Sequence, residues 1–306
     1  MKKTQQAPAK INLFLYMTGR REDGYHLLSS VMHTISLYDT ITVEVEEASD
    51  GKSKVELLSD VWYLLKDPSK NTAVKAAELF LSKLAPKAYH VTVDLKKEIP
   101  SQAGLGGGST DAATVLKILS EFFPGQVSNQ QLHEIALQVG ADVPFFLGGA
   151  AALCEGVGEI LTPVAPVGGL PVLIMKPKEG VSTPVCYREF DEQGKRRILS
   201  AEEERIMDAF LHGGENENAL DRVSKAKSVF GNDLLAPSLS QVPSIGDAVP
   251  LMEEYGAVYA CMSGSGSAVF GLFEKESDID RLLSSEKARS LKQDGWIFKK
   301  AVTLDD

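Results

Sequence analysis

The order of apolar and polar residues alternates between strand-like and helix-like stretches along the whole chain. Residues 90–95 alternate with the period of a strand, whereas apolar residues between Val74 and Leu84 recur at helical spacing. The pattern predicts strands at about 9–17, 31–46, 53–58, 90–95, 149–153, 157–162, 171–175, 257–262, 267–273 and 295–300. It predicts helices at about 71–84, 109–122, 128–139, 200–211, 245–255 and 276–291.

These elements follow no regular β-α-β order, which favours an α+β fold over a doubly wound parallel sheet. Residues 163–171 contain three prolines and two glycines, a composition typical of a domain boundary. We therefore predict two domains, residues 1–164 and residues 165–306.

The composition is that of a folded protein, with 306 residues of which 43% are hydrophobic and 24% charged. The 32 basic and 42 acidic residues give a net charge of −10, which argues against nucleic acid as a partner. Three widely spaced cysteines favour a reducing compartment over a disulfide framework or a zinc site. No apolar run reaches the roughly 18–20 residues of a membrane span, and the N-terminus lacks the apolar region of a signal peptide. We expect a cytoplasmic protein without a membrane partner.

A glycine-rich segment at residues 100–110 is the most specific chemical feature of the sequence. Its four glycines let the backbone approach a ligand closely, just before a predicted helix whose first N–H groups have no partners within the helix. Such a segment suits phosphate oxygens. A Walker loop is excluded because no lysine follows the glycines, and a dinucleotide fingerprint because Ser109 stands where Gly or Ala is required. The structural alternative is a plain helix cap, with Ser109 as the N-cap residue.

Three further segments admit either a catalytic or a structural interpretation. Lys10 and Asn12 share one face of a predicted strand, where they would meet a ligand or, on an edge strand, solvent. Asp142 is either a helix N-cap or, if it faces Lys10, a carboxylate that orients an attacking hydroxyl. Residues 262–267, with two glycines among small residues, form a tight turn or a place where phosphate approaches the backbone.

Taken together, these motifs resemble those of the GHMP kinases. Residues 100–110 match the family's Pro-x-x-x-Gly-Leu-Gly-Ser/Gly-Ser-Ser motif, with Thr110 in place of the last serine, and residues 262–270 match its C-terminal glycine motif. Further segments resemble the branch of the family that phosphorylates the 2-hydroxyl of a cytidine-diphosphate-linked methylerythritol: residues 8–15, 19–26, 140–146, 155–158 and 180–183.

The resemblance implies a fold of two domains, one like domain 2 of ribosomal protein S5 and one ferredoxin-like. It implies ATP with Mg²⁺ as cofactor and Lys10 and Asp142 as the catalytic pair. No acidic ligand set for Mg²⁺ stands out, so we expect the ion on the ATP phosphates, near Ser109 or Thr110.

The resemblance also implies which residues bind each substrate. The implied ATP-binding residues are Pro100, Ser101, Gln102, Ala103, Gly104, Leu105, Gly106, Gly107, Gly108, Ser109 and Thr110, together with Asn71 and Lys97. The implied acceptor-binding residues are Asn12, Tyr25, His26, Thr183, Tyr187, Gly264 and Ser265. Tyr25 and Tyr187 would stack on the cytosine ring while His26 recognises its polar edge.

Two alternatives of different kinds remain at this point. One is another GHMP kinase that acts on mevalonate, homoserine or a sugar, although such acceptors have no base to stack on Tyr25 and Tyr187. The other is an ATP-binding regulator without catalysis, which would not need both Lys10 and Asp142. In every case the expected partner is a small molecule, and the chain is expected to act as a monomer or homodimer.

Overall fold

The computed structural model describes residues 1–193, 196–213 and 217–306. The described chain forms two compact units. The first unit consists of Met1–Ala9, Tyr38–Ile99 and Gly106–Gly149. The second unit consists of Lys10–Leu37, Pro100–Leu105 and Ala150–Asp306. The domain boundary expected at residue 164 stays a prediction.

The described residues contain strands and helices in mixed order. The strands are β1 (Lys2–Arg20), β2 (His26–Glu47), β3 (Lys54–Ser59), β4 (Tyr89–Lys96), β5 (Ala151–Glu155), β6 (Ile160–Pro163), β7 (Pro171–Lys176), β8 (Ala257–Met262), β9 (Val269–Phe273) and β10 (Ile297–Val302). The helices are α1 (Thr72–Lys83), α2 (Gly107–Phe122), α3 (Asn129–Val139), α4 (Thr183–Gln193), α5 (Ala201–Leu211), α6 (Ala219–Ala226), α7 (Leu235–Gln241), α8 (Ala248–Glu254), α9 (Glu276–Leu283) and α10 (Glu286–Gln293). Among these described helices, none is both long and apolar enough to cross a membrane.

In the first unit, β4 lies between the C-terminal part of β2 and β3. It pairs antiparallel with residues 40–47 of β2 and parallel with β3. Alternate side chains of β4, from Tyr89 to Leu95, are buried, as expected for a strand with one face on a core. The apolar face of α1 packs on β3 and β4, and α1, α2 and α3 pack on one another. This packing fixes the N-terminal ends of α1 and α2, where predicted ATP-binding residues lie.

The second unit is built on an antiparallel sheet in the order β10-β7-β9-β8. The central strand β9 is buried along its whole length, because helices α8 and α9 pack against it. In the same unit, β5 pairs antiparallel with residues 30–33 of β2 and with β6. The sheet therefore fixes the β8–β9 turn, which contains one of the predicted glycine motifs.

Most predicted elements are present, and their mixed order agrees with the predicted α+β class. The single helix predicted at 276–291 is wrong, because the chain forms α9 and α10 instead. Ser285 begins the second of these helices by accepting a hydrogen bond from the Ala288 N–H at 3.1 Å. Helices α4, α6 and α7 were not predicted, and β1 and β2 are longer than the pattern indicates.

Candidate active site

In the second unit, β1, the start of the glycine-rich segment and the β8–β9 turn lie side by side. The Lys10 N–H donates to the Leu105 carbonyl at 3.0 Å. The Ser263 hydroxyl donates to the Gly104 carbonyl at 2.9 Å and accepts from the Asn12 N–H at 3.2 Å. Three motifs that are far apart in the sequence thus meet in one place.

This approach of two backbones requires glycine at position 104. A Cβ on Gly104 would lie 2.0 Å from the Ser263 carbonyl oxygen, and its φ of +71° is in the left-handed region. Gly264 has a φ of +56°, and a Cβ there would lie 3.3 Å from the Gly104 Cα. The β8–β9 turn is therefore more than a tight turn, because it is packed against the glycine-rich segment.

Lys10 and Asn12 are buried, with 3% and 1% of their surfaces exposed. The interpretation of an edge strand with solvated side chains is therefore wrong. The Lys10 ammonium group contacts the side-chain oxygen of Asn12, whose amide donates to the Ser30 hydroxyl at 2.8 Å. A Cβ on Gly264 would lie only 3.4 Å from the Lys10 Nζ, so the ammonium group faces the β8–β9 turn. A buried cation of this kind is typical of a site that stabilises negative charge.

The predicted acceptor-binding aromatics form a second cluster in the same unit. The rings of His26 and Tyr187 are 4.9 Å apart at an interplanar angle of 37°, and His26 meets Phe190 edge-on at 6.3 Å. Tyr187 and Phe190 both belong to α4. Tyr25, in the turn between β1 and β2, has 65% of its surface exposed. These are positions from which aromatic rings can stack on a planar base.

Two other predicted acceptor-binding residues contact each other. The hydroxyl groups of Thr183, at the start of α4, and Ser265, in the β8–β9 turn, are 2.7 Å apart. The Ser265 carbonyl accepts a hydrogen bond from the Ser238 hydroxyl at 2.9 Å. The turn with Gly264 and Ser265 is thereby connected to the helix that contains Tyr187.

In the first unit, α2 begins earlier than the sequence pattern indicates. The N-cap residue is Gly106, with a φ of +74°, and the Thr110 N–H donates to its carbonyl at 2.9 Å. Ser109 therefore lies inside the first turn, so the alternative of Ser109 as a plain N-cap is wrong. The first N–H groups of an α-helix have no partners within the helix, and the positive end of its dipole favours an anion. The start of α2 thus has the geometry of a phosphate site.

Asn71 and Thr72 lie close to this helix start. The Asn71 side chain caps α1 by accepting from the Ala73 N–H at 2.9 Å. The Thr72 hydroxyl donates to the Gly108 carbonyl at 2.6 Å, which ties the start of α1 to the glycine-rich segment. The role of Asn71 toward ATP stays a prediction.

Lys97 takes part in a buried charge network that was not predicted. Its ammonium group contacts the carboxylates of Asp39 and Asp111, whose surfaces are 0% and 3% exposed. Burial raises the pKa of Asp111 above its ordinary value, although the Lys97 charge opposes this shift. Burial lowers the pKa of Lys97, but the two carboxylates outweigh it and the net shift is upward. Among the described residues, one oxygen of Asp111 and the hydroxyl of the fully buried Thr110 have no hydrogen-bond partner.

Asp142 is partly buried just before the 3₁₀ helix Pro144–Leu147. The N-cap of this helix is Val143, and no side chain caps it. The interpretation of Asp142 as its N-cap is therefore wrong. The pairing of Asp142 with Lys10 stays a prediction.

Comparison with known proteins assigns the chain to a family. The model of the GHMP kinases N terminal domain matches residues 71–150, and that of the GHMP kinases C terminal domain matches residues 207–286. The 4-diphosphocytidyl-2-C-methyl-D-erythritol kinase of Clostridium botulinum (strain Kyoto / Type A2) is 39% identical over 269 residues, which are 88% of this chain and 90% of that protein. The chain belongs to this family of GHMP kinases. It is a kinase, as the motifs predicted.

Solved structures agree with the GHMP kinase assignment. A crystal structure of 4-(cytidine 5'-diphospho)-2C-methyl-D-erythritol kinase matches with a TM-score of 0.74 at 33% identity, and covers 99% of this chain and 100% of that chain. Homoserine kinase from Cytophaga hutchinsonii matches with a TM-score of 0.70 at 16% identity, over 99% of this chain and 95% of that chain, and shows only that the fold is shared. The predicted α+β GHMP kinase fold is confirmed.

The GHMP kinase site also contains residues that the sequence did not reveal. The Asn232 amide donates to the carbonyls of Met262 and Gly264, both at 2.8 Å, and so holds the β8–β9 turn. Asp191, on α4, contacts His26. Neither residue belongs to a motif that carries a role in the resemblance, so no sequence feature could have singled them out.

Within the described residues, no group of three or more His, Cys, Asp or Glu side chains could hold a metal ion. The hydroxyl of the half-buried Ser109, in the first turn of α2, is an oxygen donor of the type that Mg²⁺ accepts. Mg²⁺ commonly binds through substrate phosphates with few protein ligands, so these residues fit an ion that arrives with ATP.

Proposed function

We propose that this protein transfers the γ-phosphoryl group of ATP to the 2-hydroxyl of 4-diphosphocytidyl-2-C-methyl-D-erythritol, in the non-mevalonate route to isoprenoid precursors. The products are the 2-phosphate of the acceptor and ADP. The observation that supports this most strongly is the buried Lys10 beside two glycine-containing turns, in the same compact unit as the His26–Tyr187 pair. The relatives named above are kinases of this acceptor.

In the proposed reaction, the glycine-rich segment and the first turn of α2 bind the ATP phosphates through backbone N–H groups. The acceptor oxygen forms a bond to the γ-phosphorus while the bond from that phosphorus to the bridging oxygen of ADP breaks. Asp142 takes or orients the hydroxyl proton, and the ammonium group of Lys10 stabilises the negative charge on the transferring group. Because phosphoryl transfer depends mainly on positioning and charge, these few groups suffice.

Mg²⁺ is proposed to enter with ATP, where it neutralises the charge of the phosphates. Ser109 would supply the protein oxygen nearest to the ion. Asn71 and Lys97 are proposed to lie near the nucleotide.

The cytidine part of the acceptor is proposed to bind at the aromatic cluster. Tyr25 and Tyr187 would stack on the cytosine ring, and His26 would recognise its polar edge. Asn12, Thr183 and the turn with Gly264 and Ser265 would contact the rest of the acceptor.

The wider setting of the protein is also proposed. We infer a cytoplasmic enzyme that acts as a monomer or homodimer, without nucleic-acid or membrane partners. We also retain the division into domains at residues 1–164 and 165–306.

The test is ADP release with MgATP and each of four acceptors: 4-diphosphocytidyl-2-C-methyl-D-erythritol, mevalonate, homoserine and galactose. Turnover with the cytidylyl acceptor alone is expected. Turnover with another acceptor instead would retain the kinase and remove the cytidine assignments. Failure with all four would favour the ATP-binding regulator.

A further inference from the structure

The imidazole of His26 is held by a side chain outside the predicted acceptor site. Its Nε2 lies 2.7 Å from the Oδ1 of Asp191, and 11% of the His26 side chain is exposed. The other carboxylate oxygen of Asp191 is 3.1 Å from the Nη1 of Arg20. The Nε of Arg20 in turn donates to the Gly24 carbonyl at 3.1 Å, next to the turn that contains Tyr25.

The spacing on α4 explains why Asp191 reaches the same imidazole as Tyr187. Residues four apart lie on one face of a helix, so Tyr187 and Asp191 project in the same direction. Tyr187 contacts a face of the His26 ring, and Asp191 contacts its Nε2 edge. The ring is therefore fixed both in plane and in rotation.

The hydrogen bond to Asp191 determines where the imidazole proton lies. An ionised carboxylate only accepts hydrogen bonds, so Nε2 must carry the proton. In the neutral ring, Nδ1 is then left with a lone pair and acts as an acceptor. Cytosine has an amino group on its polar edge that can donate to such an acceptor, whereas uracil has a carbonyl oxygen at the same position.

We propose that Asp191, braced by Arg20, positions His26 with Nδ1 as an acceptor and thereby selects cytosine over uracil in the acceptor. Asp191 acts as a positioning residue, since it works through His26. This inference rests on the proposed function, because it assumes that His26 meets the base.

The first test measures the His26 tautomer by ¹⁵N NMR of the full-length protein, with the His26 signals assigned from the spectrum of His26→Gln. The Nε2–H tautomer is expected in the wild type, with a mixture of tautomers in Asp191→Ala. Glu192→Ala is the matched control, because Glu192 has the same charge on the same helix but lies about 100° further around it. An Nδ1–H tautomer in the wild type, or no change in Asp191→Ala, would overturn the proposal.

The second test compares turnover of the cytidylyl acceptor and its uridylyl analogue. In Asp191→Ala and Asp191→Asn, the preference in kcat/KM for the cytidylyl acceptor is expected to fall about 10-fold, mostly through a higher acceptor KM. The asparagine variant belongs in the series because its amide can donate to Nε2 and so favour the opposite tautomer. An unchanged preference in both variants would refute the selection role.

The two proposals fail in different ways. If wild-type protein does not phosphorylate the cytidylyl acceptor, the proposed function is wrong, and with it the role of Asp191 in base selection. If the wild type is active and only the Asp191 variants match it in preference and tautomer, the function stands and the inference falls.

Discussion

Lys10 illustrates, at the scale of single residues, how burial and function are connected. An ammonium group with 3% of its residue exposed is costly unless polar partners replace water. The Asn12 oxygen is one such partner, and Asn12 is in turn held by the Ser30 hydroxyl. We expect the transferring phosphoryl group to be the anion that this cation serves.

Replacement of Asp142 tests the other half of the proposed catalytic pair. Asp142→Asn is expected to lower kcat about 10³-fold, because the amide cannot accept the hydroxyl proton. The Kd of ATP, measured by calorimetry, should stay within about twofold of wild type, since the carboxylate acts on the acceptor.

Asp247→Asn is the matched control for this measurement. Asp247 is exposed at the start of α8, and its side chain does not cap that helix. This variant should retain wild-type kcat. Comparable activity in Asp142→Asn would remove Asp142 from the mechanism.

Motif residues could be predicted from the sequence, but their supporting residues could not. Lys10, Gly104 and Ser263 lie in segments whose residue types already indicate phosphate chemistry. Asp39 and Asp191 are single acidic residues whose importance comes from partners distant in the chain, namely Lys97 and His26. Such pairings depend on the fold, and the spacing of one sequence does not show them.

At the scale of elements, the helices that were missed have weak or interrupted patterns. Helix α4 buries only Cys186 and Phe190 among its described side chains, which is too short a stripe to stand out from a loop. The division between α9 and α10 failed for the opposite reason, because apolar residues continue at helical spacing across Ser285. A capping serine inside a periodic segment thus outweighs the pattern.

The contact of the glycine-rich segment with the β8–β9 turn makes a prediction at this scale. Gly104→Ala would place a Cβ 2.0 Å from the Ser263 carbonyl oxygen, so one of the two backbones must shift. The free energy of unfolding in urea should fall by roughly 1–3 kcal/mol beyond the cost of a positive φ, and kcat should fall with it.

Gly51→Ala measures the cost of the positive φ alone. Gly51 has a φ of +70°, and nothing lies within 4 Å of a Cβ built there. Its replacement should cost about 1–2 kcal/mol and leave kcat unchanged. Equal losses of stability in the two variants would contradict the close backbone contact.

At the scale of the whole molecule, the buried His33 makes stability depend on pH. Its Nδ1 donates to the Thr34 carbonyl and its Nε2 accepts from the Val167 N–H, both at 2.9 Å. Burial lowers the pKa of His33 to about 4, although the bond to Thr34 opposes this shift. The folded state therefore favours the neutral ring, and the unfolded state binds the proton more readily.

The sign of the pH effect follows from this difference. The contribution of His33 is complete above the unfolded pKa of about 6.5 and is lost progressively as the pH falls toward 4. The loss amounts to as much as about 3 kcal/mol of unfolding free energy.

Comparison with His33→Gln isolates this effect, because glutamine can donate and accept in the same places without titrating. The difference in unfolding free energy between wild type and variant should shrink between pH 7 and pH 4. His212→Gln, at an exposed histidine with 75% of its side chain accessible, is the control and should show no such trend. A wild-type advantage that is constant with pH would refute the assignment.

The most direct test of the whole account follows the phosphoryl group itself. The protein is incubated with γ-³²P-labelled ATP, Mg²⁺ and 4-diphosphocytidyl-2-C-methyl-D-erythritol, and the label is separated into acceptor and inorganic phosphate. The account predicts one labelled acceptor for each ADP formed. Label found only in inorganic phosphate, or none released from ATP, would contradict it.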